Sequence, residues 1–429
     1  MNEQNYGLDT LVLHAGFRAD QTEGSTEVPI HQTSAYMFHS TQHAKELFEL
    51  KAPGNIYSRL GNPTVTVLEE RIAAMEGGVG AVAFSSGHAA MFSTILCLCQ
   101  TGDEVVSSLN IYGGAINMFG VTLGNLGIKV RFVTGNDPAA WEAQVTDRTK
   151  AFFVEAVGNP NANVADLEAI SGVARRHGIP FIVDSTFTTP ALIRPKDFGA
   201  DIIIHSATKF LGGHGTSLAG LTVDCGTFPF EGNPRFPYYN EPDVSYHGTV
   251  FARDFGPAGF ATRLRALFLR DLGGCLSPFN AWLILQGMET LGLRMERHCQ
   301  NALAVAKWLR ENPAVTFVTC PALPDSPQRP LVEKYLGGKG GAVFTFGLRG
   351  GREAGGRFID SVRLAANVAN VGSTKTQVIH PATTTHSQLS EEQLKESGIT
   401  GETIRISVGI ENVEDIIADL SQAIDASQK

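Results

Sequence analysis

Charge is scarce in this chain, and no basic run interrupts it. Only 18% of its 429 residues are charged, with 34 Lys and Arg against 43 Asp and Glu, for a formal charge of −9. A dedicated nucleic-acid binder, which needs a basic footprint, is excluded. Cysteine is sparse too. Cys97, Cys99, Cys225, Cys275, Cys299 and Cys320 form no C-x-x-C pair and no zinc spacing, so they read as reduced, mostly buried thiols. The start, MNEQNYGLDT, has no basic segment leading into an apolar one, so no secretory signal is expected and the expected location is the cytoplasm.

Uninterrupted apolar runs are also missing. Gly77 to Gly102 and Val105 to Ile128 contain no Asp, Glu, Lys or Arg, yet serines, asparagines, glycines and His88 break them. Both read as buried α/β core rather than membrane spans. There is no G-x-x-x-x-G-K-[ST] and no H-E-x-x-H, and His380 and His386 have no carboxylate between them, which sets aside a nucleotide hydrolase and a zinc protease. Gly78 to Ala83 fits G-x-G-x-x-A, but a helical pattern precedes it and a strand follows. A dinucleotide fold needs the reverse order.

What is present is a large apolar content, 43%, enough for substantial cores. Residues 1–60 read as an irregular polar arm that packs on something else, with Pro29, Pro53 and Gly54 breaking any period. A helix is expected from Pro63, with Val65, Leu68, Ile72 and Met75 on one face and Gly77-Gly78 as its stop. Strand-like runs follow at Ala81–Phe84, Glu104–Ser107, Lys129–Val133, Ala151–Glu155, Phe181–Asp184, Asp201–His205 and Leu218–Val223, with helical segments such as Leu167–His177 between many of them. That alternation predicts an α/β fold with a mostly parallel sheet in a large domain, residues 61–265. The segment 226–248, rich in Pro, Gly and aromatics, reads as a long structured loop of the kind that is often functional. Strands at Ala342–Leu348 and Thr403–Ser407 around a helix Phe358–Ala369 predict a smaller C-terminal α/β domain, residues 266–429.

Two strand ends carry the chemistry. Phe181 to Asp184 is an apolar run ending in a carboxylate, and Asp201 to His205 is another that leads into Ser206-Ala207-Thr208-Lys209. Open α/β sheets deliver such C-terminal strand residues to a ligand crevice. An Asp there alone can be a helix cap and a Lys alone can be a solvated charge. Together they suit pyridoxal 5′-phosphate, whose imine needs a desolvated lysine and whose ring nitrogen needs an anionic partner. Ser206 and Thr208 offer hydroxyls for the phosphate, and Ser85-Ser86-Gly87-His88-Ala89-Ala90 at a strand-to-helix turn offers backbone amides, although that segment can also be an ordinary turn. Tyr112, before Gly113-Gly114, can cover a ring face or sit in the core.

Several ordered motifs then converge: Tyr57-Ser58-Arg59 with Gly61 to Thr64, Ser85 to Ala90, Tyr112-Gly113-Gly114, Glu155 through Asn159-Pro160, Val183 to Phe187, and Ser206 to Lys209. The chain resembles the Cys/Met-metabolism family of fold-type I pyridoxal-phosphate enzymes from about Thr10 to Ile424. That resemblance implies a seven-stranded sheet in the large domain. It also implies Lys209 as the lysine bonded to the cofactor, Asp184 as the ring-nitrogen partner, and Tyr112 as the stacking and catalytic aromatic. Ser86, Gly87, His88, Ser206 and Thr208 become the phosphate cup, with Thr186 beside them. Arg405 and Asn159 become substrate contacts, and Tyr57 and Arg59 a pair given to a neighbouring subunit's phosphate in a homotetramer of two dimers. Ser185, where many relatives have Asn, and His88, where other branches often have Met, are departures.

Within the family, three segments resemble the branch that joins sulfide to O-acetyl-L-homoserine, giving L-homocysteine and acetate in methionine biosynthesis. They are the aromatic insert ending Pro242 to Gly248, Asn370 to Thr376 with Val378 to Leu389, and Ile404 to Glu411. A cystathionine γ-synthase-type or methionine γ-lyase-type enzyme is the alternative. Gly114, where methionine γ-lyases typically have Cys, speaks against the lyase. A scaffold without turnover is disfavoured by the joint presence of Lys209, Asp184, Tyr112 and Arg405.

Overall fold

The computed structural model describes residues 6–19, 24–384 and 399–429. Seven strands, β1 (Gly80–Phe84), β2 (Glu104–Ser108), β3 (Lys129–Val133), β4 (Thr149–Glu155), β5 (Phe181–Asp184), β6 (Ile202–Ser206) and β7 (Gly220–Asp224), form one sheet in the order β1-β7-β6-β5-β4-β2-β3. β7 alone runs against its neighbours. Side chains alternate between two apolar cores: Phe152, Val154, Phe181, Val183 and Ile203 enter one, and Ala151, Phe153, Ile182, Ile202 and Ile204 the other. A sheet covered on both faces explains the near-continuous apolar strands.

The helix Pro63–Glu76 forms as its pattern predicts. Asn62 caps it by accepting the Thr64 N–H at 3.0 Å, and Gly77 ends it at φ 69°, where a side chain would be strained. The arm is less irregular than expected, because Leu8–His14 and Thr41–Phe48 are helices. The first buries Leu11 and Val12, and Arg71 Nε donates to the Ala15 carbonyl at 3.1 Å, so this end of the arm docks on its own chain.

A second sheet contains β8 (Val315–Val318), β9 (Val343–Leu348), β10 (Ala366–Asn367), β11 (Gln377–Ile379) and β12 (Thr403–Ser407), in the order β10-β11-β12-β9-β8. The helix expected over Phe358–Ala369 is displaced and spans Gly351–Ser361. It stops there because the Asp419 carboxylate takes the N–H groups of Arg363, Leu364 and Ala365 at 2.8–2.9 Å, which a continuing helix would use internally. Gly355 marks the helix's close contact with His380, since a Cβ there would lie 2.8 Å from the imidazole Nε2.

The insert 226–248 is a structured connection that packs inward around the short helix Pro237–Asn240. Phe230, Phe236 and Tyr239 are buried in the second core with Phe260, and Tyr239 Oη lies 3.2 Å from Cys97 Sγ. Its aromatics supply packing. Among the described residues no helix is long and apolar enough to cross a membrane.

Candidate active site

The C-terminal ends of β4, β5 and β6 open into a cavity of about 260 Å³. Its walls include Ser86, Gly87, His88, Tyr112, Asn159, Asp184, Thr186, Ser206, Thr208, Lys209 and Arg405, eleven of the residues expected from the sequence. The remaining two, Tyr57 and Arg59, are not brought there. The Arg59 guanidinium stacks on the Tyr57 ring at 5.0 Å, and Tyr57 is exposed.

Local geometry explains how the walls are built. Ser86 caps the twelve-residue helix Gly87–Leu98 by accepting the Ala89 N–H at 3.1 Å, so the helix N-terminus faces the cavity. Gly87 allows that end to touch β6, because a Cβ there would come 2.7 Å from Ser206 Cβ. Gly220 does the same for β7, where a Cβ would meet the Ser86 carbonyl oxygen at 2.0 Å. Amides, a positive helix end and the Ser206 hydroxyl together suit a phosphate. The Thr208 hydroxyl already bonds to Ala219, accepting its N–H at 3.1 Å.

Asp184 is buried, and burial pushes its carboxyl up, while bonds from Thr186 oppose that shift. The Thr186 N–H donates to Asp184 Oδ1 at 2.9 Å, and Thr186 Oγ1 accepts the Ser206 N–H at 2.8 Å, tying the ends of β5 and β6. Lys209 Nζ donates to Asn370 Oδ1. Desolvation, then the nearby Arg405 charge, lower the Lys209 ammonium from 10.5 to about 8. Arg405, on β12, is buried, and desolvation lowers it to about 10. It donates to Asn159 Oδ1 at 3.1 Å and to the Asn370 carbonyl at 3.3 Å. The rings of His88 and Tyr112 meet edge to face at 5.5 Å. Gly114 packs under the tyrosine, where a Cβ would lie 2.6 Å from Tyr112 Cε1.

Asn370 and Glu155 also line the cavity, beyond the site residues expected from the sequence. Glu155 carried the same signal as Asp184, an apolar strand ending in a carboxylate. Ser185 lies outside the lining, its hydroxyl 2.6 Å from that of Thr188. Thr385 to Leu389, at the end of one branch-defining segment, lie outside the described residues.

The family model for Cys/Met metabolism PLP-dependent enzymes matches residues 9–425. The chain belongs to that family. It is 50% identical to O-acetyl-L-homoserine sulfhydrylase 1 of Thermus thermophilus over 97% of this chain and 99% of the relative. It is 48% identical to a homocysteine synthase of Schizosaccharomyces pombe, covering 98% of each. A crystal structure from Campylobacter jejuni, provisionally assigned as an O-acetylhomoserine (thiol)-lyase and containing a pyridoxyl-lysine monophosphate, superimposes with a TM-score of 0.95 at 41% identity. It covers 98% of this chain, and the chain covers all of it. Members of the family use pyridoxal phosphate, and the cavity fits that cofactor: a desolvated lysine, a buried carboxylate, an aromatic ring and an anion-binding helix end face one space.

Proposed function

We propose that the chain catalyses γ-replacement on O-acetyl-L-homoserine by sulfide, releasing L-homocysteine and acetate. The observation that carries this reading is the single cavity holding Lys209, Asp184, Tyr112 and Arg405. The choice of substrate is supported by the near full-length likeness to relatives named for that reaction.

When bound, pyridoxal phosphate supplies the electron sink that makes the Cα and Cβ protons of an amino acid removable. Asp184 would keep the ring nitrogen protonated, Tyr112 would cover the ring, and Thr186 would hold Asp184 in place. Ser86, Gly87, His88, Ser206 and Thr208 would take the phosphate. The Arg405 fork, oriented by Asn159 and Asn370, pairs with the substrate carboxylate. Lys209 Nζ, lowered to about 8, is partly neutral near pH 7 and can move one proton at a time: it takes the Cα proton, hands it on to regain its lone pair, and then takes a Cβ proton. The Cγ–O bond breaks as acetate leaves, the Cγ–S bond forms with sulfide, and Lys209 carries the protons back one at a time, first to Cβ and then to Cα.

Tyr57 and Arg59 are proposed to complete the phosphate site of a neighbouring copy in a tetramer of two dimers. This reading keeps residues 1–60 as the connecting arm, 61–265 as the cofactor domain and 266–429 as the smaller domain, in a cytoplasmic enzyme. The test is a product assay with O-acetylhomoserine, with and without sulfide. Homocysteine and acetate should dominate when sulfide is present, with L-methionine and L-cystathionine poor substrates. Rapid 2-oxobutanoate and methanethiol from methionine would overturn the reading in favour of a lyase.

A further inference from the structure

Glu155 closes β4 as Asp184 closes β5, and the two are paired in the parallel register. Both residues are only 8% exposed. The Glu155 oxygens serve two different loops: Oε1 accepts the Tyr112 N–H at 2.6 Å, and Oε2 accepts the Asn159 N–H at 3.1 Å. Asn159 Oδ1 in turn accepts Arg405 Nη1 at 3.1 Å. One carboxylate therefore joins the aromatic on one wall to the arginine on another. Burying an anion next to Asp184 is unfavourable, and burial followed by the Asp184 charge pushes the Glu155 carboxyl up. The two N–H donors offset that cost. An amide in its place could accept at one end only and would set a donor against the other N–H.

We infer that Glu155 is a positioning residue for the reaction, fixing Tyr112 and Asn159, and through Asn159 the carboxylate-binding Arg405, in one arrangement around the cavity. This rests on the proposed reading of the cavity as the cofactor and amino-acid site. Glu155→Gln preserves volume but releases one of the two loops. Misplacement of an anchoring group by about 1 Å can reduce turnover on the order of a hundredfold.

The test uses the cofactor-loaded protein and L-norvaline, an amino acid with a comparable backbone and no leaving group, titrated by the cofactor's absorbance. In Glu155→Gln, norvaline should bind about tenfold more weakly, KM for O-acetylhomoserine should rise in parallel, and the cofactor's absorbance maximum should shift as the Tyr112 ring moves. Glu69→Gln is the structural control. Glu69 is another buried carboxylate, accepting the Ala83 N–H at 2.7 Å and pairing with Arg265, so its loss should lower the melting temperature without changing norvaline affinity or the absorbance maximum. Wild-type norvaline affinity and kcat in cofactor-loaded Glu155→Gln would overturn the inference. Should that variant not fold, Glu155→Asp, too short to span both N–H groups, takes its place: weakened norvaline binding supports the role, and wild-type binding and kcat overturn it. Failure of the wild-type protein to take cofactor or norvaline would instead overturn the reading of the cavity.

Discussion

Lys209 returns to its ordinary 10.5 when the chain unfolds, whereas in the folded protein burial and Arg405 lower it to about 8. Between those values the unfolded chain binds more protons than the folded one, so stability of the cofactor-free protein rises with pH across that window. At pH 7 the folded state holds a buried ammonium at a disadvantage. Lys209→Met, similar in length and uncharged, should therefore stabilise the cofactor-free protein at pH 7 by about 1–2 kcal/mol, after allowing for the lost bond to Asn370. The gain should shrink towards pH 10, as melting temperatures at the two pH values will show, and turnover should be almost abolished. Asp184→Asn is nearly isosteric and removes the charge facing the ring nitrogen. If that charge supports ring protonation by about 2 pKa units, kcat should fall about a hundredfold with cofactor retention little changed. Near wild-type kcat in a cofactor-loaded variant would place another group at the ring nitrogen.

Elements were legible wherever one local period decided them. The seven strands of the large sheet and the helix Pro63–Glu76 follow from apolar runs, a cap and a glycine stop, and the observed strand limits differ by two residues at most. Residues at strand ends were legible for the same reason, because strand direction alone delivers Asp184 and Ser206 to one edge. The helix Gly351–Ser361 was not, since its glycines obscure the period and its end is set by Asp419, more than fifty residues away in sequence. Nor was the burial of the 226–248 aromatics, which depends on Phe260 and Cys97 arriving from distant segments. Asn62 shows how an element's end reaches towards function. Besides capping its helix, its Nδ2 donates to the His31 carbonyl at 2.8 Å and lies 3.1 Å from Ser58 Oγ, pinning the arm that carries Tyr57 and Arg59. Asn62→Ala should cost about 1–2 kcal/mol of stability, as cap losses do. If the arm serves a phosphate site, cofactor should also dissociate faster, which release monitored by absorbance will measure.

At the scale of the whole molecule, the arm presents a contrast between its two ends. Leu11 and Val12 are buried against the same chain, while Met37 is 94% exposed and Tyr57 and Arg59 stack away from the cavity. A segment held to its own chain yet apolar and exposed at Met37 fits a partner copy, and symmetric pairing would give each site one arm from its neighbour. The test separates sharing from simple loss of function. Arg59→Ala should weaken cofactor retention, and Lys209→Ala should lose turnover, in homogeneous preparations. When the two variants are mixed under conditions that exchange subunits, a hybrid dimer holds one site with both lesions and one with neither. Random exchange should therefore restore about a quarter of all sites. Recovery of activity near that fraction, dependent on exchange, supports a shared site. Hybrids with no recovered activity, or an active enzyme that is strictly monomeric, would show that each chain completes its cavity alone and that the Tyr57–Arg59 pair belongs to the arm's own packing.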